Sequence, residues 1–361
     1  MVAFYYVIGL ILAALTVSCA LSPTSGQGNP LLQPNYQAPL QYVFDSGMPP
    51  RLQWLHNGGY CGEVSTIAAG LKYGQYLSQY DVRDIATGSQ LKYYLVGEND
   101  EATAVSLRLN HSEYPNTCVP DKQQTCSRIY LAWVKAMARR GYAVTLALYM
   151  NYYYFYGDTS PTAGQVDYDH IVSLFRIESN FDDDLYHDED IITISDHGLW
   201  APHPSAPQYL FTYNFSEFQG NREQANSKHG NIYTLSDEYV TGNFGIAHLG
   251  PVDHDSDLLR VNVNTSVNYE KPEIADHSQV RPDPTAVTLT ITIFGVQSGV
   301  AYNLYKYSDE THVPSSSFNK HNSSAAETLR LVGGEGPTLV VVDTVQSSDK
   351  VIFRAVRADA K

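Results

Sequence analysis

The spacing of apolar residues changes once along this chain, near residue 141, and that change limits the fold more than any other feature. After Cys61 and Gly62, Val64, Ile67, Ala68, Leu71 and Leu77 recur near helical spacing, which predicts a helix over 61–76. A second short helix is expected over 80–87. A third is expected over 127–140, where Ile129, Leu131, Ala132, Val134, Ala136 and Met137 share one side and Gly141 stops the helix. Beyond that point the pattern belongs to strands. Tyr142–Tyr149 is an almost unbroken apolar run, as a buried strand requires; 170–177 and 191–195 are strand-like, and 209–215 and 244–249 are further short strands. A helical half followed by a β-rich half is an α+β arrangement.

At 361 residues the chain suits two domains rather than one core. The proline-punctuated stretch 271–284 marks the expected boundary, giving a first domain over 36–270 and a second over 271–361. In the second, AVTLTITIF (286–294) alternates apolar residues with Thr, the period of a half-buried strand, and 301–307, 338–342 and 350–356 continue in that style. Short strands over some 90 residues suggest a β-sandwich of fibronectin type III size. Residues 21–35, rich in Pro, Gly and Ser, read as a linker or short pro-segment, and no internal repeat is seen.

An apolar run from Phe4 to Val17, followed by Ser18-Cys19-Ala20, reads as a secretory leader (1–20) cleaved after Ala20, although no Lys or Arg precedes it. The alternatives are an uncleaved membrane anchor or a lipid-bearing Cys19. Once cleaved, the chain has no membrane association to expect. Export leaves three cysteines. Cys118 and Cys126 bracket a short polar loop and are the natural disulfide pair in an oxidising compartment, leaving Cys61 reactive or bridged between molecules; Cys61 bonded to either of the others is equally open. Sequons at Asn110, Asn214, Asn264 and Asn322 fit a glycosylated exported protein. A net charge of −15, with acidic residues spread along the chain, repels phosphate backbones and argues against nucleic acid as a partner.

The chemistry concentrates around Cys61. It opens an amphipathic helix after Gly58 and Gly59, where the partial positive charge of a helix start stabilises thiolate over thiol. Free N–H groups of that first turn, the one on Cys61 included, can point at a developing oxyanion. His170 stands at the mouth of one apolar strand, and Asp196 ends the next. Adjacent antiparallel strands can bring the two together, so that the carboxylate orients the imidazole and the imidazole deprotonates Cys61.

These segments, in this order, resemble the papain-like clan of cysteine hydrolases. Gly59-Tyr60-Cys61-Gly62-Glu63 with Ser65 is similar to the nucleophile segment, Asp169-His170-Ile171-Val172 to the base segment, and ITISDHG (192–198) occupies the place of the clan's Asn or Asp. The resemblance covers roughly 50–200; the Asp third member and the Cys61-Gly62-x-x-Ser65 helix start look more like bacteriocin-leader peptidases and phytochelatin synthases than papain proper, whose signature around the cysteine is absent. It implies a papain-like domain, a peptide or protein substrate, no cofactor, and an oxyanion-binding Gln or Asn. Gln53 lies eight residues before Cys61 and Asn57 four before, and either can serve. A γ-glutamyl or acyl transferase and an inactive binding protein are the alternative readings.

Two other features invite a function. The run Tyr149–Tyr156 is unusually aromatic and suits either a groove for extended peptide or sugar, or an edge strand and turn packed on the core. Asp182, Asp183, Asp184, Asp188, Glu189 and Asp190 offer hard oxygen ligands for calcium, but they lack the EF-hand spacing and read as a solvated loop. No zinc-type histidine pairing, Walker loop or strand-coupled G-x-G-x-x-G is present.

Overall fold

A computed structural model describes residues 40–51, 60–87, 94–115, 117–118, 125–164, 168–197, 210–236, 242–266 and 283–359. The expected leader, the segment 21–35, Gln53 and Asn57 lie outside the described residues. The elements run β1 (Tyr42–Asp45), α1 (Cys61–Lys72), β2 (Gln75–Tyr76), α2 (Gln79–Thr87), α3 (Asp100–Ser106), β3 (Leu109–Glu113), α4 (Cys126–Arg139), β4 (Ala143–Met150) and α5 (Tyr152–Tyr156). Then come β5 (His170–Ser179), β6 (Ile191–Ser195), β7 (Leu210–Asn214), β8 (Gln219–Gly220), α6 (Arg222–Ala225), β9 (Tyr233–Ser236) and β10 (Gly245–Pro251). The chain continues through β11 (Leu258–Leu259), β12 (Val261–Thr265), β13 (Ala286–Phe294), β14 (Ala301–Tyr307), β15 (Glu327–Val332), β16 (Thr338–Gln346) and β17 (Val351–Arg357). The class is α+β.

The first sheet has the order β3-β10-β4-β5-β6-β7, all antiparallel, with β1 beside the distal half of β5 and β9 beside the end of β4. Every residue of β4 is buried, which explains its unbroken apolar run: both of its faces are covered. On one face lies α4, begun by Thr125, whose hydroxyl caps the Arg128 N–H. Its stripe of Tyr130, Leu131, Val134 and Ala138 joins Val144, Leu146, Val172 and Ile177 in a single core.

The structure alters several sequence expectations. Helix α1 stops at Lys72, because Gly74 takes a left-handed conformation (φ 76°) and Gln75–Tyr76 turn into a strand. The aromatic run is the buried end of β4, which is a central and not an edge strand, followed by a single helical turn, α5, whose Tyr152, Tyr154 and Phe155 pack on the core. The acidic insert is not simply solvated. Lys135 pairs with Asp183 and the buried Asp190, Arg139 with Asp182 and Asp184, and Arg140 with Asp184, so the cations of α4 hold the loop.

The expected boundary at 270/271 also moves. The last strands before it already belong to the second half: β11 pairs with β17 and β12 with β13. The proline-rich stretch therefore connects two strands of the sandwich instead of linking two domains. One sandwich sheet has the order β12-β13-β16 and the other β11-β17-β14-β15, with β2 also paired to β17. Alternation on β13 sends Val287, Leu289, Ile291 and Ile293 inward.

Helix α1 lies between the two cores. Residues 62–72 are all buried, as expected of a helix covered on more than one side. Ala68 and Ala69 face the core under the first sheet, while Ile67 and Leu71 join a second core with Val261, Val263, Leu289 and Ile291 of the sandwich. Burial of side chains such as Ile67 and Leu71 is worth about 1.5–3 kcal/mol each. Beyond the helix, Phe353 donates its N–H to the Gly74 carbonyl at 2.7 Å, and Arg354 reaches the Tyr73 carbonyl at 3.0 Å.

Candidate active site

Cys61 is the first residue of α1, and it is partly exposed and unbonded. Cys118 and Cys126 are joined to each other. The first hydrogen bond of the helix runs from Val64 N–H to the Tyr60 carbonyl at 3.0 Å, so the N–H groups of Cys61, Gly62 and Glu63 precede the helical ladder. Behind this turn stands a buried ion pair, Arg83 Nε to Glu63 Oε1 at 2.7 Å. Glu63 also accepts the Tyr94 N–H at 3.1 Å, and the Arg83 guanidinium lies 3.5 Å from the Tyr60 ring centroid. Gly62 is required here: a Cβ at that position would come within 2.1 Å of the buried Tyr94 ring.

Strand register assembles the other two residues. Ser173 of β5 pairs with Ser195 of β6 in an antiparallel ladder, so Val172 stands opposite Asp196, one residue past the strand end. His170 shares a strand face with Val172 and meets Asp196 diagonally. Its Nε2 lies 2.7 Å from Asp196 Oδ1, and both side chains are buried. His170 Nδ1 has no hydrogen-bond partner among the described residues, which leaves that nitrogen for the thiol. Burial alone would lower the basicity of His170, but the Asp196 carboxylate, and then the nearby Cys61 sulfur, outweigh it and push the imidazole up to about 9.

Sequence reasoning missed the shell around this pair. Tyr233 places its ring 5.7 Å from that of His170 and packs edge-on against Phe211 at 4.9 Å. Burial, then the charge of Asp196, pushes its phenol well above the ordinary value, so it stays neutral beside the carboxylate. His197, next in sequence to Asp196, hydrogen-bonds Ser65 Oγ at 2.8 Å through Nε2 and the Arg51 carbonyl at 3.2 Å through Nδ1. Burial first, and then the neighbouring His170, lowers it to about 4, so it serves as a neutral strut between α1 and β6. Tyr233 sits in an unremarkable local sequence and carried no signal. Ser65 and His197 were both inside the quoted motifs, but only the fold shows that they touch.

The sequons scatter: Asn110, Asn264 and Asn322 are exposed, and the half-buried Asn214 ends β7 opposite Ile191, at the end of β6 away from Asp196. For a metal, the one group of three clustered potential ligands among the described residues is Asp253, Asp255 and Asp257. Asp253 accepts the N–H groups of Asp257 and Leu258, and Asp255 that of Ser317, whereas Asp257 Oδ1 has no hydrogen-bond partner among the described residues. No family model, curated protein or solved structure matches the chain.

Proposed function

We propose that the chain is a secreted cysteine hydrolase of papain-like build, cleaving peptide or isopeptide bonds, with the β-sandwich as part of its catalytic support. A single observation carries the reading: an unbonded cysteine at the start of a buried helix lies close enough to raise the basicity of a buried histidine whose other nitrogen is held by a buried carboxylate. Such a dyad needs its third member to fix the imidazole's orientation and to favour the imidazolium, and in this reading Asp196 does both.

In this mechanism the Cys61 thiolate attacks the substrate carbonyl, and the oxyanion forms near the N–H groups opening α1. His170, as imidazolium, gives its proton to the departing amine, leaving a thioester. It then takes a proton from water, which attacks the thioester and returns Cys61 to thiolate. Asp196 remains ionised throughout. Gln53 and Asn57 are further candidates to hold the oxyanion. No described helix is long and apolar enough to cross a membrane, and secretion rests on the leader sequence.

The test is alkylation by iodoacetamide at pH 6 with the labelled residue located by mass spectrometry, together with exposure of the protein to a complex peptide mixture. Cys61 should label faster than a free thiol, and peptides should be cleaved by the wild type but not by Cys61→Ala or His170→Ala. Labelling at or below the free-thiol rate, with no peptide cleaved, would refute the reading.

A further inference from the structure

The aromatic turn α5 takes no part in that mechanism, yet it is the most deliberately built surface near the site. Its start is fixed by Asn151, whose Oδ1 caps the Tyr153 N–H at 3.1 Å and whose Nδ2 donates to the carbonyls of Ser227 (2.8 Å) and Asn231 (3.0 Å). Asn226 accepts the Tyr152 N–H at 3.1 Å and donates to the Ser160 and Ala163 carbonyls. Both asparagines are almost wholly buried. Tyr154 donates its hydroxyl to the Lys228 carbonyl at 2.7 Å, and Gly157 closes the turn in a left-handed conformation (φ 71°). Buried amides on two sides hold the backbone of five consecutive aromatic residues in one arrangement, so little backbone freedom remains to be lost on binding.

This turn connects to the reacting histidine. Met150 at the end of β4 pairs with Tyr233, and Leu148 pairs with His170, so α5, Tyr233, His170 and Asp196 occupy one end of the sheet. The rings form a chain: Tyr233 to His170 5.7 Å, Phe155 to Tyr233 6.2 Å, Tyr156 to Phe155 6.3 Å and Tyr152 to Tyr156 4.8 Å. The inner members pack on the core, whereas Tyr156 is 67% exposed. Behind them Asp169 is neutralised by Arg222, so no unpaired charge from that pair faces the platform.

We infer that α5 is the subsite for the leaving half of the substrate, and that it takes an aromatic side chain just beyond the scissile bond. The inference rests on the hydrolase reading, because in that mechanism the imidazole protonates the departing amine. The part of the substrate carrying that amine therefore lies on His170's side of the cleft, where the ring chain leads outward. Tyrosine rings favour offset or edge-on contact with another ring, and a peptide presents one without the charge that an acidic protein surface would select. A sugar face is the competing occupant.

Binding separates this inference from the chemistry. In the Cys61→Ala chain, calorimetry would compare Phe-Gly-Gly-amide with Gly-Gly-Gly-amide, mimics of the leaving half. The aromatic peptide should bind roughly two- to tenfold more tightly, the range a ring pair is worth. Adding Tyr156→Ala should abolish that preference, and Tyr156→Phe should keep it. Equal binding of the two peptides, a preference that survives Tyr156→Ala, or Tyr156-dependent binding of chitotetraose in place of the aromatic peptide would each overturn the assignment. Failure of wild-type Cys61 to alkylate would instead sink the hydrolase reading, and a lost preference with alkylation intact would sink the subsite alone.

Discussion

Replacing Asp196 by Asn tests the electrostatics of the site with almost no change of shape. The rise of His170 from 6.5 to about 9 corresponds to roughly 3 kcal/mol in favour of the imidazolium. Since burial works against that rise, the attractions of Asp196 and Cys61 together exceed it. Assigning Asp196 somewhat over half leaves roughly 2 kcal/mol lost on substitution, which shifts the proton balance between the Cys61 thiol and the His170 imidazole about 30-fold toward the neutral pair. The assay is the rate of iodoacetamide alkylation at Cys61 from pH 5 to 9, with the site read by peptide mass spectrometry. Near pH 6 the Asp196→Asn rate should fall at least tenfold. Near pH 9, where bulk solvent ionises an ordinary thiol, the two proteins should converge. Stability gives an independent sign. A histidine raised on folding stabilises fully below its unfolded value near 6.5 and loses that contribution as pH rises through about 9, so the wild type should weaken over that window and the variant much less. Superimposable alkylation profiles would refute the argument that the carboxylate sustains the ion pair.

Three further outcomes follow from the packing. Gly62→Ala should lower Tm by roughly 4–8 °C despite alanine's better helix propensity, because the new methyl meets the enclosed Tyr94 ring at 2.1 Å; an unchanged melting curve would contradict it. Arg83→Met should cost about 3–5 kcal/mol in urea denaturation by stranding the Glu63 charge, and adding Glu63→Gln should recover most of the loss. Acid should destabilise the fold through His197 and His248. Burial first, then His170 for the former and His111 for the latter, lowers each to about 4, so stability is full above 6.5 and drains as pH falls toward 4. The loss is roughly 2–3 kcal/mol for each histidine, and His248→Phe should remove its share from the urea midpoint measured between pH 6.5 and 4.5.

The helices and strands that bear Cys61, His170 and Asp196 were legible because each has a strong local signal: a helical apolar period, an apolar strand run, a polar strand end. Their meeting was legible too, since antiparallel neighbours with period-two faces leave few ways to place the two strand-borne residues. What could not be read were contacts made by single side chains across large separations. Tyr233 reaches His170 only because β9 pairs with the end of β4, and Glu63 is satisfied by an arginine twenty residues away. The acidic insert looked solvated because its partners, Lys135, Arg139 and Arg140, lie on a helix more than forty residues earlier. Proline content misplaced the boundary at 270/271 because composition alone does not show that β11 and β12, which precede it, pair with β17 and β13, which follow it.

The placement of β17 has a consequence for the order in which the molecule is made. Chains emerge from the ribosome amino end first, and early segments usually settle before later ones. Here the turn that ends the helix of Cys61 rests on Phe353 and Arg354, nearly 300 residues downstream. Until those residues have been synthesised, the floor of α1 is open and its apolar flank faces solvent. The thiol at its start therefore gains its finished setting only late in the life of the nascent chain.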